Sequence, residues 1–396
     1  FTYTHVLDAG LENGLGGLGY GIGGFGTGEY GVPEARNQFQ PRTWSLDNWG
    51  ELMLSVPLDG ALYEWALDTS VKAQPIREAP QRSTGMFVTP ERHVVLLGTV
   101  STSGTFDPLL VRWSDRENNR EWSATALTQA GDYKLSHGSR IVHGHTASFE
   151  SLVWTNTALY SMRFIGGVFV YGFDLLGENC GLIGPNAAVV TEGTSFWMAP
   201  NGQFYLHSGG APKPIYDCPV RQFVFDALTP AQGYKVYAFA NPEYGEVGWL
   251  YPADGSLECN RYVLLNYNEG AWSVGTFDRT AWTASGVWPF PFATSATGAI
   301  YWQENGMSAD GGAIHAHLET GPVDIANGER TLRINRYVPD MKVKGAVETT
   351  IRVQDFPRAP FYDHGPFVTR PDTDYHDLRA SLRTVRLRYA SRGSED

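Results

Sequence analysis

The residues with the strongest claim to chemistry are His143 and His145, an HGH pair. On a strand, residues two apart share a face, so both imidazoles could ligate one metal ion. No third or fourth ligand follows at a recognisable spacing, and the plainer expectation is histidines of a turn or of a sheet edge. The stretch Gly10 to Gly31 (GLENGLGGLGYGIGGFGTGEYG) contains spacings close to GxGxxG. A dinucleotide fingerprint also needs a preceding strand, a following helix and a downstream acid within a βαβ unit, and no such pattern surrounds it. Ser, His and Asp are plentiful, but neither a GxSxG elbow nor a GxxxxGK[ST] loop is present. Cys180, Cys218 and Cys259 form no CxxC pair and no disulfide framework. The expectation is no catalytic, cofactor-binding or metal-binding residue, and no enzyme.

The elements around these residues read as short strands. Of 396 residues, 42% are hydrophobic, 13% aromatic and 18% charged, with 45 Gly. Large flat side chains with frequent turn formers suit a protein of many short strands with a real core. Strand-like runs alternate with turn dipeptides in WGELMLSVPLDGALYEWAL from Trp49, SLVWTNTALYSMRF from Ser151 and TSFWMAPNGQFYLHSG from Thr194. The same holds for VGWLYPADGS with RYVLLNYNEGAWSVG, and for ATGAIYWQENG from Ala296. Asp59-Gly60, Asn201-Gly202 and Asp254-Gly255 are hairpin signals, read as turns needing positive φ at both residues. The hairpins recur at roughly propeller-blade spacing, about 40 to 50 residues. The fold expected is all-β: a Gly-rich extended segment over 1–43, an irregular β-propeller over 44–305, and a small antiparallel β-sandwich or barrel over 306–396. Arg221 to Leu228 is among the few helix candidates. In the last region, Arg352-Val353 and Val385 to Tyr389 alternate so that apolar side chains share one face and Arg the other.

Net charge is −12, and it is uneven. From Arg330 onward 13 Lys and Arg face 9 Asp and Glu, a net of +4, which leaves −16 on the residues before it. A nucleic-acid reader needs the opposite sign on its body. A conduit for DNA does not, because few cationic contacts mean little drag. No run of 18 apolar residues and no signal peptide are found.

WSDRENNREW, Trp113 to Trp122, loosely resembles the Asp-box turn of sialidase propellers, with Asn119 near the place of the missing Gly. Asp115 is expected to bond local backbone amides there. More of the chain resembles the nozzle proteins of short-tailed bacteriophages. The stretches are WSLDNWGELMLSV (Trp44 to Val56), DPLLVRWSDREN (Asp107 to Asn118), QAGDYKLSHGSRIV (Gln129 to Val142) and LVWTNTALYSMRFIGG (Leu152 to Gly167). LLGENCGLIGPNAAV (Leu175 to Val189), the most specific, is followed by FWMAPNGQFYL, by NRYVLLNYNEGAWSVGTFDRTAW (Asn260 to Trp282) and by ADGGAIHAHLETGPVDIANGER (Ala309 to Arg330).

That resemblance implies a virion structural protein, assembled in the host bacterial cytoplasm. It implies a propeller subunit of a homo-oligomeric, hexameric ring, docked to the tail adaptor protein below the portal and contacting tail fibre or spike proteins. Double-stranded DNA would pass through the channel without sequence-specific binding, and the ring would meet the host cell envelope at infection. Members of the family carry a further segment before the Gly-rich stretch that supplies the first propeller strands. No cofactor and no catalytic residue belong to that role. The alternative is a glycan-active or glycan-binding propeller, a glycosidase or an adhesin. A glycosidase would place two carboxylates about 5 to 10 Å apart at the propeller axis.

Overall fold

A computed structural model describes residues 43–391 apart from 149, 168, 307, 310–311, 314–315, 325–329, 344 and 357. The Gly-rich segment Gly10 to Gly31 lies outside the described residues, as does nearly all of the expected extended region 1–43.

The alternating runs fold as a succession of antiparallel meanders. The first sheet is β1 (Trp44–Trp49), β2 (Leu52–Pro57), β3 (Tyr63–Trp65) and β4 (Gln74–Pro75). The second is β5 (Ser83–Val88), β6 (Val94–Val100), β7 (Phe106–Trp113) and β8 (Gly131–Lys134). The third is β9 (Ile141–Thr146), β10 (Ser151–Thr155), β11 (Ala158–Phe164) and β12 (Tyr171–Glu178). The fourth is β13 (Ala188–Thr191), β14 (Thr194–Ala199), β15 (Gln203–His207) and β16 (Lys213–Pro214). The fifth is β17 (Tyr237–Asn241), β18 (Glu246–Tyr251), β19 (Arg261–Asn266) and β20 (Ala271–Thr276). A sixth sheet has three strands among the described residues: β21 (Ala281–Thr283), β22 (Phe292–Thr294) and β23 (Ile300–Trp302).

The second, third and fifth sheets each place apolar residues in two clusters and cannot bury them alone, so the sheets stack face to face as propeller blades. First strands meet first strands: β1 against β5, β5 against β9, β13 against β17 and β17 against β21. The seams between sheets are the core. Trp49, Leu54, Val56, Met86, Val94 and Leu96 fill the first, and Phe87, Val95, Leu97, Trp113, Val153 and Tyr160 the second. One larger cluster joins the third, fourth and fifth sheets. Its largest members are Trp154, Trp197 and Trp249, each fully buried on the second strand of its sheet. The helix expected near Arg221 forms as α1 (Arg221–Ala227), with Val224 buried in that same cluster.

The hairpin signals fall between strands, but not with the backbone expected of them. Only Asp254-Gly255 has positive φ at both residues; in the other two pairs only Asp59 and Gly202 do. One left-handed residue suffices where the turn is not a two-residue type I′.

The chain divides into two compact units between Glu304 and Asn305. In the second, β24 (Ser308–Ala309) pairs with β25 (Gly312–Ala313). Beyond them two sheets form a sandwich. One orders β26 (His317–Glu319), β32 (Thr384–Ser391), β29 (Val347–Gln354) and β30 (Tyr362–Thr369), with β27 (Val323–Asp324) also on β32. The other pairs β28 (Leu332–Tyr337) with β31 (His376–Leu382). Ile351, Val353, Leu378, Ala380 and Leu382 are buried between them, with Val385 and Leu387 packed alongside. Arg352 and Arg386 sit opposite one another across β29 and β32 and share Glu319, which is the arginine face that the alternation called for.

Candidate functional site

A cavity lies where the first strands converge. It measures about 660 Å3 and is lined from β1 by Ser45 to Asn48, from β5 by Thr84 and Met86 to Val88, and from β9 by His143 to Thr146, with Asn186 and Tyr237. That volume is in the range of a small-molecule pocket. A smaller cavity of about 210 Å3 is bordered by Thr43, Tyr237, Lys235, Glu258 and Thr280. Thr43, which leads into the first sheet, and Thr280, which leads into the sixth, therefore line one space.

His143 and His145 are not turn residues. They stand on β9, the inner edge strand of the third sheet, and face the axial cavity half-buried. Their rings lie 5.7 Å apart, and His145 packs 4.8 Å from Trp154. His145 Nε2 is 3.4 Å from Ser195 Oγ on the fourth sheet, so the pair helps to seat one blade on the next. Between them Gly144 leaves room for the second sheet, since a Cβ there would come within 2.8 Å of Phe87. Burial pushes the pKa of His143 down to about 4 and that of His145 to about 3, the latter with a further push from His143. Both imidazoles are neutral at pH 7 and have the lone pairs a metal needs. Among the described residues, however, no three His, Cys, Asp or Glu side chains gather as metal ligands.

Among the described residues one carboxylate lines the axial cavity, that of Asp47. Its Oδ2 accepts the Val88 amide at 2.7 Å, and its Oδ1 accepts that of Asn48 at 2.7 Å. Asp47 thus ties the first sheet to the second. A glycosidase pair would need a second acid on the wall.

Two hydroxyl–imidazole–carboxylate groupings escaped the sequence reading, because their members are far apart in the chain. Glu150, in the turn after β9, accepts a hydrogen bond from Ser161 Oγ and pairs with His207 Nε2 at 2.9 Å. Here the carboxylate is central, so the serine proton has no path to the imidazole and the order of a nucleophilic relay is absent. Buried Ser161 and His207, with half-buried Glu150 between them, bridge the third and fourth sheets. The second grouping follows the relay order: Ser136 Oγ lies 2.9 Å from His137 Nδ1, and His137 Nε2 lies 3.3 Å from Glu178. It is solvent-exposed and borders neither cavity, and the Tyr160 hydroxyl occupies its centre, within 3.1 Å of Ser136 and 3.0 Å of His137 Nδ1.

Asp115 accepts the Gln129 amide at 2.7 Å, closing the long loop between β7 and β8; its expected partners were nearer in the chain. Cys180, Cys218 and Cys259 are buried free thiols, and burial raises the pKa of each to about 11, 11 and 12 respectively. Such thiols are inert at neutral pH.

No protein-family model and no curated protein matches the chain. Among solved structures, a chain of the crystal structure of the mitotic checkpoint complex is 11% identical, with a TM-score of 0.38, over 63% of this chain and 71% of that one. A tryptophan-to-alanine mutant of Synechocystis apocarotenoid oxygenase is 8% identical, with a TM-score of 0.35, over 67% and 68%. Neither likeness bears on what this chain does.

Proposed function

We propose that the chain is a structural subunit of a short-tailed bacteriophage virion. In this reading it is a tail nozzle protein that forms a hexameric ring, docks to the tail adaptor and fibres, and encloses the distal channel for the genome. The observation that carries the proposal is the large apolar side chains the propeller presents to solvent. Val287 is 94% exposed, Ile300 69%, Trp288 53% and Trp302 50% in the sixth sheet, and Phe169 is 76% and Ile165 60% in the third. Large apolar side chains left in water are what an assembling protein covers with its neighbours. The axial cavity is too small for a duplex, so the channel belongs to the ring, between copies. The −16 body suits a bore that repels phosphate.

A glycan-binding propeller is the second reading, and the exposed Trp288 and Trp302 favour it, since indole faces stack on sugar rings. Native mass spectrometry of the purified chain and electron microscopy of particles separate the two. A sixfold ring at the tail tip is expected. A monomer in solution that is absent from virions overturns the nozzle reading in favour of the glycan-binding one.

A further inference from the structure

Two fully buried histidines of the propeller are spent on protein partners. His93 Nδ1 meets Ser114 O at 2.9 Å, and His207 Nε2 meets Glu150 at 2.9 Å. The β9 pair differs from both. Among the described residues the His143 ring makes no hydrogen bond, and that of His145 has only the long 3.4 Å contact from Nε2 to Ser195 Oγ. None of the ring nitrogens left over is sealed in protein, as His93 Nε2 and His207 Nδ1 are. Both rings line the axial cavity instead.

The strand supplies the spacing. Residues two apart on β9 share a face, and the two ring centres stand 5.7 Å apart. An imidazole nitrogen binds Zn2+ at about 2.0–2.1 Å. Two rings on one ion therefore have their centres about 5 Å apart at the tetrahedral angle and about 6 Å apart when nearly opposite. The observed spacing lies between these, so both rings can reach one ion by turning about their own side-chain bonds. The strand that carries them is held in place: β10 pairs along it, and a Cβ at Gly144 would already strike Phe87. The rest of the wall offers hydroxyls and amides from Ser45, Asn48, Thr84 and Asn186. The Asp47 carboxylate already accepts two backbone amides. Ions that need several carboxylates find no such set among these residues, whereas imidazole suits borderline ions.

We propose that His143 and His145 form a two-imidazole site for a borderline divalent transition-metal ion, Cu2+, Ni2+ or Zn2+, with cavity water filling the remaining positions. Of the three, Cu2+ binds tightest. The ion sits on the inner edge of the third sheet, at the point where that edge meets Ser195 of the fourth. The inference does not depend on the ring reading, because a single copy carries the whole pair.

The test uses the full chain with Cu2+ alone as the probe. The bound ion lies beside Trp154, whose ring is 4.8 Å from that of His145, so Cu2+ should quench part of the tryptophan emission and Mg2+ none of it. His143→Asn and His145→Asn should each weaken Cu2+ binding at least about tenfold, since each removes one of two ligands. His137→Asn, in the exposed grouping with Ser136 and Glu178, should bind as the wild type does. Electron paramagnetic resonance of the wild-type Cu2+ complex needs no variant to fold, and it should show two nitrogens coupled to the copper. Undiminished binding in a folded His143→Asn or His145→Asn variant overturns the inference, as does coupling to any other number of nitrogens. Binding that His137→Asn abolishes places the ion on the surface and overturns it too, and so does a wild type that binds no Cu2+.

Discussion

The seams of the third to fifth sheets and the sixth sheet put the same residue type to opposite uses. Trp154, Trp197 and Trp249 are fully buried, each on a second strand, and two of the three indole N–H groups are satisfied: Trp197 by Cys180 O at 2.8 Å and Trp249 by Ala187 O at 3.1 Å. In the sixth sheet only Trp282 is buried, while Trp288 and Trp302 face water. A blade between two neighbours is glued on both faces, so its tryptophans become core. The sixth sheet, with three strands among the described residues, keeps two of its tryptophans outside, where they cost little and remain available. Stability and association should therefore respond to different tryptophans.

The widest separation is expected from Trp197→Ala. Removing a fully buried indole from the largest cluster should cost about 3–5 kcal/mol, read as a lower urea midpoint at unchanged slope. A loss of under about 1 kcal/mol, a small one for a core site, would mean that the central seam is not the stabilising region and would erase the contrast.

Smaller losses should come from two places in the same seam. Gly181, in the LLGENCGLIGP stretch, lies so close to the Asn156–Thr157 backbone that a Cβ would sit 2.3 Å from Asn156 C. Backbone cannot swing aside as a side chain can, so Gly181→Ala should cost about 1–3 kcal/mol. Glu150→Ala leaves buried His207 and Ser161 without their shared acceptor, and about 1–3 kcal/mol is expected there too. If either variant melts with the wild type, the contact concerned is not sustained in solution.

The histidines of β9 sharpen the comparison by pH. Both have folded pKa values below the unfolded value of about 6.5, so the unfolded chain takes up their protons first. Their stabilising contribution is full above pH 6.5 and falls as pH drops toward about 4 for His143 and about 3 for His145. The thermal midpoint should fall more steeply between pH 7 and pH 4 in the wild type than in a His143→Asn, His145→Asn double variant. Parallel slopes would show that the two rings are open to water and take no part in holding the third sheet to the fourth.

Local structure was legible in the sequence wherever one face of a strand is buried. The period-two alternation of Ile351, Val353, Val385 and Leu387 against Arg352 and Arg386 gave the sandwich its two faces. The turn dipeptides gave the hairpins, because Gly and Asp tolerate left-handed backbone. The convergence of blades was not legible. His143 and His145 read as residues of a turn or of a sheet edge; that the edge is the inner one follows only from β5 lying against β9. The Trp154, Trp197 and Trp249 positions form a structural repeat, but the sequence around each differs too much for the repeat to show in composition. Glu150 and His207, 57 residues apart, meet only once two sheets have stacked.

The smallest effect on stability, and the most telling, belongs to the sixth sheet. Trp302→Ser removes an indole already half in water, so the isolated chain should lose no more than about 0.5 kcal/mol. Its ring contacts, to Trp288, Phe290 and Phe292, are with neighbours that are themselves at the surface or partly so, and no buried donor is orphaned. Set beside Trp197→Ala, the two variants form a cross. One should lower the unfolding midpoint of the free chain; the other should leave it in place and weaken association of the copies. Measuring midpoint and assembly mass on the same two proteins decides it. If Trp302→Ser lowers the midpoint as far as Trp197→Ala does, the sixth sheet is part of the common core, and its aromatic edge has no surplus of surface to offer a second copy.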